Sequence, residues 1–137
     1  MYNISKNKFG FEYFNFEGRE VTIMKYSPCF CRVNDLDRIY VNQQFMEQDE
    51  NTQKFVLYHE FGHIYYGHNK VDNSITNFKR KLFHRFGLVV KQEIQADFHA
   101  VKLLGKENAL KAITETIKFI PSRELKTRRL LIKLFAK

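Results

Sequence analysis

Tyr58-His59-Glu60-Phe61-Gly62-His63 reads H-E-x-x-H inside a run, 52 to 66, whose composition suits a helix on both sides of the motif. Two imidazoles four residues apart stand about one turn apart on one helical face, close enough to grip a single metal ion. The glutamate between them projects roughly 100° around the helix, so it reaches a water beside the ion rather than the ion itself. Two neutral histidine ligands, a carboxylate placed as general base and an open position for water make up the zinc-hydrolase arrangement. The bland alternative is two surface histidines beside a solvated glutamate, and a third ligand decides between the two.

A helical segment from about Leu88 to Leu104 carries Glu93, Ala96, Asp97, Ala100 and Leu104 at i, i+3, i+4, i+7 and i+11. Glu93 and Asp97 therefore share a face with two small alanines, which lets this helix approach the first one closely. Glu93 is the expected third metal ligand, since zinc sites of the two-histidine, one-glutamate type draw their carboxylate from a separate helix. Asp97, one turn on, is expected to accept the outer N–H of a ligand histidine, His59, and so fix its tautomer. Paired instead with Lys91 or Lys102, the two acids would be no more than an exposed acidic pair.

Outward from the motif, Phe55, Val56, Leu57, Phe61, Ile64 and Tyr65 fall around nearly the whole circumference, which predicts a central helix. Gly62 within it implies a close backbone approach, Gly67 a helix stop, and Asp49 or Asn51 an N-cap. Upstream, Arg19 to Tyr26, Phe30 to Val33 and Arg38 to Asn42 are strand candidates, the last two separated by turn-prone Asn34-Asp35-Leu36-Asp37, and they predict an antiparallel meander. Residues 9 to 16 suit a strand or irregular packing. Downstream, the pattern predicts a loop over 67–75, a short basic helix over 76–86, the Glu93 helix ending at Gly105, and another helix from Lys106 to Ile120 interrupted by Pro121. Ser122 then caps a last helix with Leu125, Leu130, Leu131, Leu134 and Phe135 apolar. The expected class is α+β, a small antiparallel N-terminal sheet (strands about 19–42) packed on a mostly helical body (helices about 51–136).

The 137 residues suffice for a single domain, 1–137, and are too few for two. No apolar run approaches the roughly 18 residues of a membrane span and no signal core follows Met1, so a cytoplasmic protein without membrane partners is expected. Cys29 and Cys31 form a lone C-x-C and read as reduced, small hydrophobes. The net charge of +8 gathers at Lys79-Arg80-Lys81 with His84 and Arg85, and again at Lys126, Arg128, Arg129, Lys133 and Lys137. Solvated helix faces explain such clusters. Nothing resembles a recognition helix, a ribonucleoprotein motif or a zinc finger, so direct nucleic-acid binding is not expected.

Ile39-Tyr40-Val41-Asn42 leading into Phe55-x-x-x-His59-Glu60-x-x-His63, then Glu93-Ile94-Gln95-Ala96-Asp97 with Ala100 and Leu103-Leu104, resembles the ImmA/IrrE family of soluble zinc metallopeptidases over about residues 38 to 131. Ser122 with Arg129-Leu130 resembles that family's closing helix, whereas Gln95 and His99 differ from residues the family often carries there. The motif pair is also similar to the cores of HtpX-like proteases, whose membrane helices this chain lacks. The resemblance implies a zincin-like fold and a protein substrate, often a DNA-binding repressor of a mobile element or stress response.

The residues themselves predict one zinc ion per chain on His59, His63 and Glu93, with Glu60 as catalytic base. Tyr66, His68, His84, His99 and Arg129 are the candidate donors to a developing oxyanion; Tyr66, three residues after His63, leans toward the ligand face. Substrate is expected along the strand at 38–42. The alternative is a zinc-stabilised antirepressor that captures its partner without hydrolysis, and Glu60 discriminates between the two because ligation does not require it.

Overall fold

The computed structural model describes residues 2–70 and 91–137. Five strands come first: β1 (Ser5–Lys6), β2 (Glu12–Phe16), β3 (Arg19–Ile23), β4 (Cys31–Val33) and β5 (Ile39–Val41). Five α-helices follow: α1 (Gln43–Met46), α2 (Glu50–Tyr65), α3 (Lys91–Leu104), α4 (Lys106–Phe119) and α5 (Arg123–Phe135), with a 3-10 turn at His68–Lys70 after α2. The class is α+β, as expected. The predicted basic helix over 76–86, His84 and the start of the Glu93 helix lie outside the described residues.

The sheet is mixed rather than an antiparallel meander. Its order is β1-β2-β3-β5-β4, and the β3–β5 pair is parallel, with Val21 opposite Ile39 and Ile23 opposite Val41. Burial explains the order. Val21, Ile23, Ile39 and Val41 are all buried and need neighbours on both sides, while β4 carries exposed Arg32 and takes the edge. β5 is therefore interior and offers no free edge to a peptide. Among the described residues the two edge strands are β1 and β4, and β4 is the one that borders β5. Residues 12–16 are a true strand, since Phe14 and Phe16 alternate inward against Tyr13 and Asn15. Left-handed Glu17 and Gly18 (φ 49° and 79°) turn that strand into β3.

Helix α2 is the central element. It packs against α3, α4 and β4 and buries residues on most of its circumference, from Thr52 to His63. The Asp49 carboxylate accepts the Thr52 N–H at 2.7 Å and starts it, and Gly67, at φ 70°, lies just past its end. Ser122 caps α5 by accepting the Leu125 N–H at 3.3 Å. The face that α5 buries differs from the apolar one counted in the sequence. Leu130, Leu134 and Phe135 are exposed, and the inward stripe is Leu125, Arg128 and Ile132, at i, i+3 and i+7, with Ala136 buried just past the helix end.

Gly62 is where α2 and α3 meet. A Cβ at that position would lie 2.8 Å from Ala96 Cα and 3.1 Å from Ala96 O, both backbone atoms that cannot rotate away. Intrinsic propensity favours Gly62→Ala by about 1 kcal/mol, whereas overpacking opposes it by about 1–3 kcal/mol. Gly62→Ala is therefore expected to lower the urea midpoint with an unchanged m-value. A variant as stable as the parent would remove the close approach from this account.

Candidate metal centre

Two helices deliver the site. One face of α2 presents His59 and His63 a turn apart, α3 crosses it at Gly62–Ala96 and brings in Glu93, and all three side chains are buried. His59 Nε2 lies 3.0 Å from His63 Nε2 and 3.1 Å from Glu93 Oε2, and His63 Nε2 lies 3.4 Å from Glu93 Oε1. Ligands at about 2.05 Å from a tetrahedral zinc stand about 3.3 Å from one another, so these separations suit one small cation.

The outer contacts decide where the protons are. Asp97 Oδ1 lies 2.8 Å from His59 Nδ1, so that nitrogen carries the hydrogen and donates it. On the other histidine, His63 Nδ1 lies 3.0 Å from His68 Nδ1, and His68 Nε2 lies 3.0 Å from Gln95 Oε1. Asp97 thus holds His59 with its Nε2 toward the Glu93 carboxylate, and His63 Nε2 faces the same carboxylate. The two Nε2 atoms and the Glu93 carboxylate converge on one buried point and form a group that can hold a divalent metal ion.

Asp97 is held in turn by Arg128, whose Nε donates to Oδ2 at 2.7 Å and whose Nη2 donates to Oδ1 at 2.6 Å. Arg128 Nη2 also stands 3.2 Å from His59 Nδ1, but both are donors and meet only through their shared acceptor, Asp97 Oδ1. Arg128 Nη1 reaches to 3.7 Å from Glu93 Oε2. Breaking such a buried pair by removing one partner costs about 3–5 kcal/mol, because the other charge stays buried.

The titration behaviour follows from this crowding. Burial acts to raise both carboxyls, yet the Arg128 charge holds Asp97 below its usual range, and hydrogen bonds from His59 and His63 hold Glu93 well below it. Burial and the nearby Arg128 act to lower the His59 pKa, but Asp97 and Glu93 outweigh them and raise it to about 10. In metal-free protein a proton on His59 takes the place of the cation.

The triad opens into a cleft of about 670 Å³. Its apolar wall includes Phe55, Val56, Ile113 and Leu125, and β4 forms one rim. Glu60 lines this cleft. Cys31 of β4 lines it too, and burial first, with the Glu60 charge second, pushes its thiol well above the usual pKa. Both cysteines are free thiols, Cys29 exposed and Cys31 partly buried.

The candidate oxyanion donors fare differently. His68 reaches the cleft, but both of its ring nitrogens are engaged. Tyr66 is 48% exposed, stacks on His68 with ring centroids 5.6 Å apart, and is absent from the cleft lining. His99 stacks on Tyr65, and Arg129 points to Thr114 Oγ1 at 3.4 Å. Sequence reasoning missed Arg128 and Gln95. Comparison with protein-family models, with curated proteins and with solved structures gave no match. Among the described residues no helix is long and apolar enough to cross a membrane.

Because zinc needs the His59 Nε2 lone pair, loading the metal-free site at neutral pH should release about one proton from His59, and affinity should rise with pH up to about 10. Calorimetry of zinc binding in two buffers of different ionisation enthalpy reads this number. Identical heats in both buffers would contradict the protonation assigned to His59.

Proposed function

We propose that this chain is a zinc-dependent endopeptidase acting on a protein substrate, with His59, His63 and Glu93 holding the metal and Glu60 as general base. The carrying observation is that three buried ligand groups converge at the wall of an open cleft. Among the described residues no fourth protein ligand joins them. Structural zinc sites are closed by four protein ligands, whereas hydrolytic ones keep three and leave a position for water.

When bound, zinc would lower the pKa of a water and polarise the scissile carbonyl. Glu60, buried beside the triad, accepts the water's proton on its carboxylate and passes it to the leaving amine. Asp97 keeps the His59 proton on Nδ1, and Arg128 keeps Asp97 ionised and in place. An extended peptide can add to the outer edge of β4, with its side chains against the apolar cleft wall. The likeness of both motifs to the ImmA/IrrE metallopeptidases supports a DNA-binding repressor as the substrate.

Zinc-loaded wild type and Glu60→Gln, digested against a pooled peptide library and read by mass spectrometry, test this reading. Wild type is expected to generate new termini, and Glu60→Gln to retain zinc while slowing cleavage by about 10²–10⁴-fold. Equal cleavage by both proteins would remove Glu60 from the chemistry. No cleavage by a zinc-loaded wild type would leave partner capture as the function.

A further inference from the structure

We infer that His68 and Gln95 are positioning residues that form a directional hydrogen-bond relay, setting the tautomer of His63 and thereby turning its Nε2 lone pair toward the metal. The inference rests on the metal reading above and assigns work to two side chains which that reading leaves idle. His59 has a charged partner in Asp97, which fixes its Nδ1–H directly. His63 has another histidine at 3.0 Å from its Nδ1, and a pair of imidazoles does not by itself say which ring donates.

Gln95, in the amide orientation that metal ligation selects, supplies the direction. Its Oε1 lies 3.0 Å from His68 Nε2, and an amide oxygen can only accept. The hydrogen of neutral His68 is therefore on Nε2, its Nδ1 is the acceptor, and His63 must donate from Nδ1. The reverse orientation of the Gln95 amide would offer N–H to His68 Nε2 and move each proton one place along. It would leave a hydrogen on His63 Nε2, aimed at Glu93 and His59 where the ligand atoms meet. Metal ligation by His63 thus selects one of the two orientations.

Local structure holds the relay in register. Gly67, at φ 70°, turns the chain after α2 so that His68 folds back over His63, and the Tyr66 ring stacks on His68 at 14° between planes. Gln95 comes from the helix that carries Glu93, two residues on. One helix therefore supplies both a metal ligand and the acceptor that orients a second ligand.

Zinc affinity, measured by competition with a fluorescent chelator on the full chain, tests the relay in wild type, Gln95→Leu, His68→Phe, the double variant and Gln95→Glu. Gln95→Leu and His68→Phe should each weaken zinc binding about 10–100-fold. The melting temperature of the metal-free protein should change little, since His68→Phe keeps the stacking ring. The double variant should lose no more than His68→Phe alone, because both substitutions cut one chain. Gln95→Glu keeps an acceptor oxygen and should restore affinity to within a few-fold of wild type. Unchanged affinity in Gln95→Leu, losses that multiply in the double variant, or a Gln95→Glu as weak as Gln95→Leu would overturn the relay while leaving the metal site standing. A wild type that binds no zinc would overturn the metal reading itself, and the relay with it.

Discussion

The close approach of α2 and α3 at Gly62 and Ala96 is the constraint on which the site depends. With Ala96 Cα only 2.8 Å from where a Gly62 Cβ would sit, the two helices pack backbone against backbone at this level. Glu93 lies three residues before Ala96 and Asp97 one after it, so the crossing brings the first to the Nε2 atoms of the histidine pair and the second to His59 Nδ1. A wider crossing would separate both carboxylates from the imidazoles. Ala96, fully buried, faces Gly62 at this contact and is small for the same reason.

Around that contact the chain gathers the charged side chains of Glu93, Asp97 and Arg128, all at least largely buried. Asp97 and Arg128 satisfy each other through two short hydrogen bonds, and Arg128 lies on the inward stripe of α5 between Leu125 and Ile132. Buried ion pairs give up in desolvation much of what they gain in attraction, so apolar residues of similar volume would hold α5 at least as well. The arrangement makes sense once Glu93 and the two Nε2 lone pairs must be kept aimed at one point. Arg128 fixes Asp97, Asp97 fixes His59, and Glu93 faces both histidines within 3.4 Å.

The parts of this design carried by local spacing were readable in the sequence. H-E-x-x-H, the Glu93/Asp97 pair one turn apart and the alanines on their face follow from helical periodicity, and the helix ends follow from Asp49, Gly67, Gly105 and Ser122. The strand order was not readable, since parallel pairing of β3 with β5 depends on burial shared between segments far apart in the chain. Arg128 was hidden because a hydrophobic count places arginine outside, and its partner Asp97 comes from another helix. Spacing alone leans Tyr66 toward the ligands, but α2 ends at Tyr65 and the turn at Gly67 brings His68 rather than Tyr66 to the cleft. That turn is also why His68, five residues beyond His63, touches it despite lying outside the helical repeat.

The central claim is that His59, His63 and Glu93 hold a metal through two nitrogens and a carboxylate oxygen, with water completing the set. Zinc K-edge X-ray absorption on the zinc-loaded full chain tests it most directly. The account predicts a first shell of nitrogen and oxygen at about 2.0–2.2 Å, with the outer-ring scattering of two imidazoles and no sulfur. A sulfur shell near about 2.3 Å would place the ion on Cys29 or Cys31 instead and contradict the account.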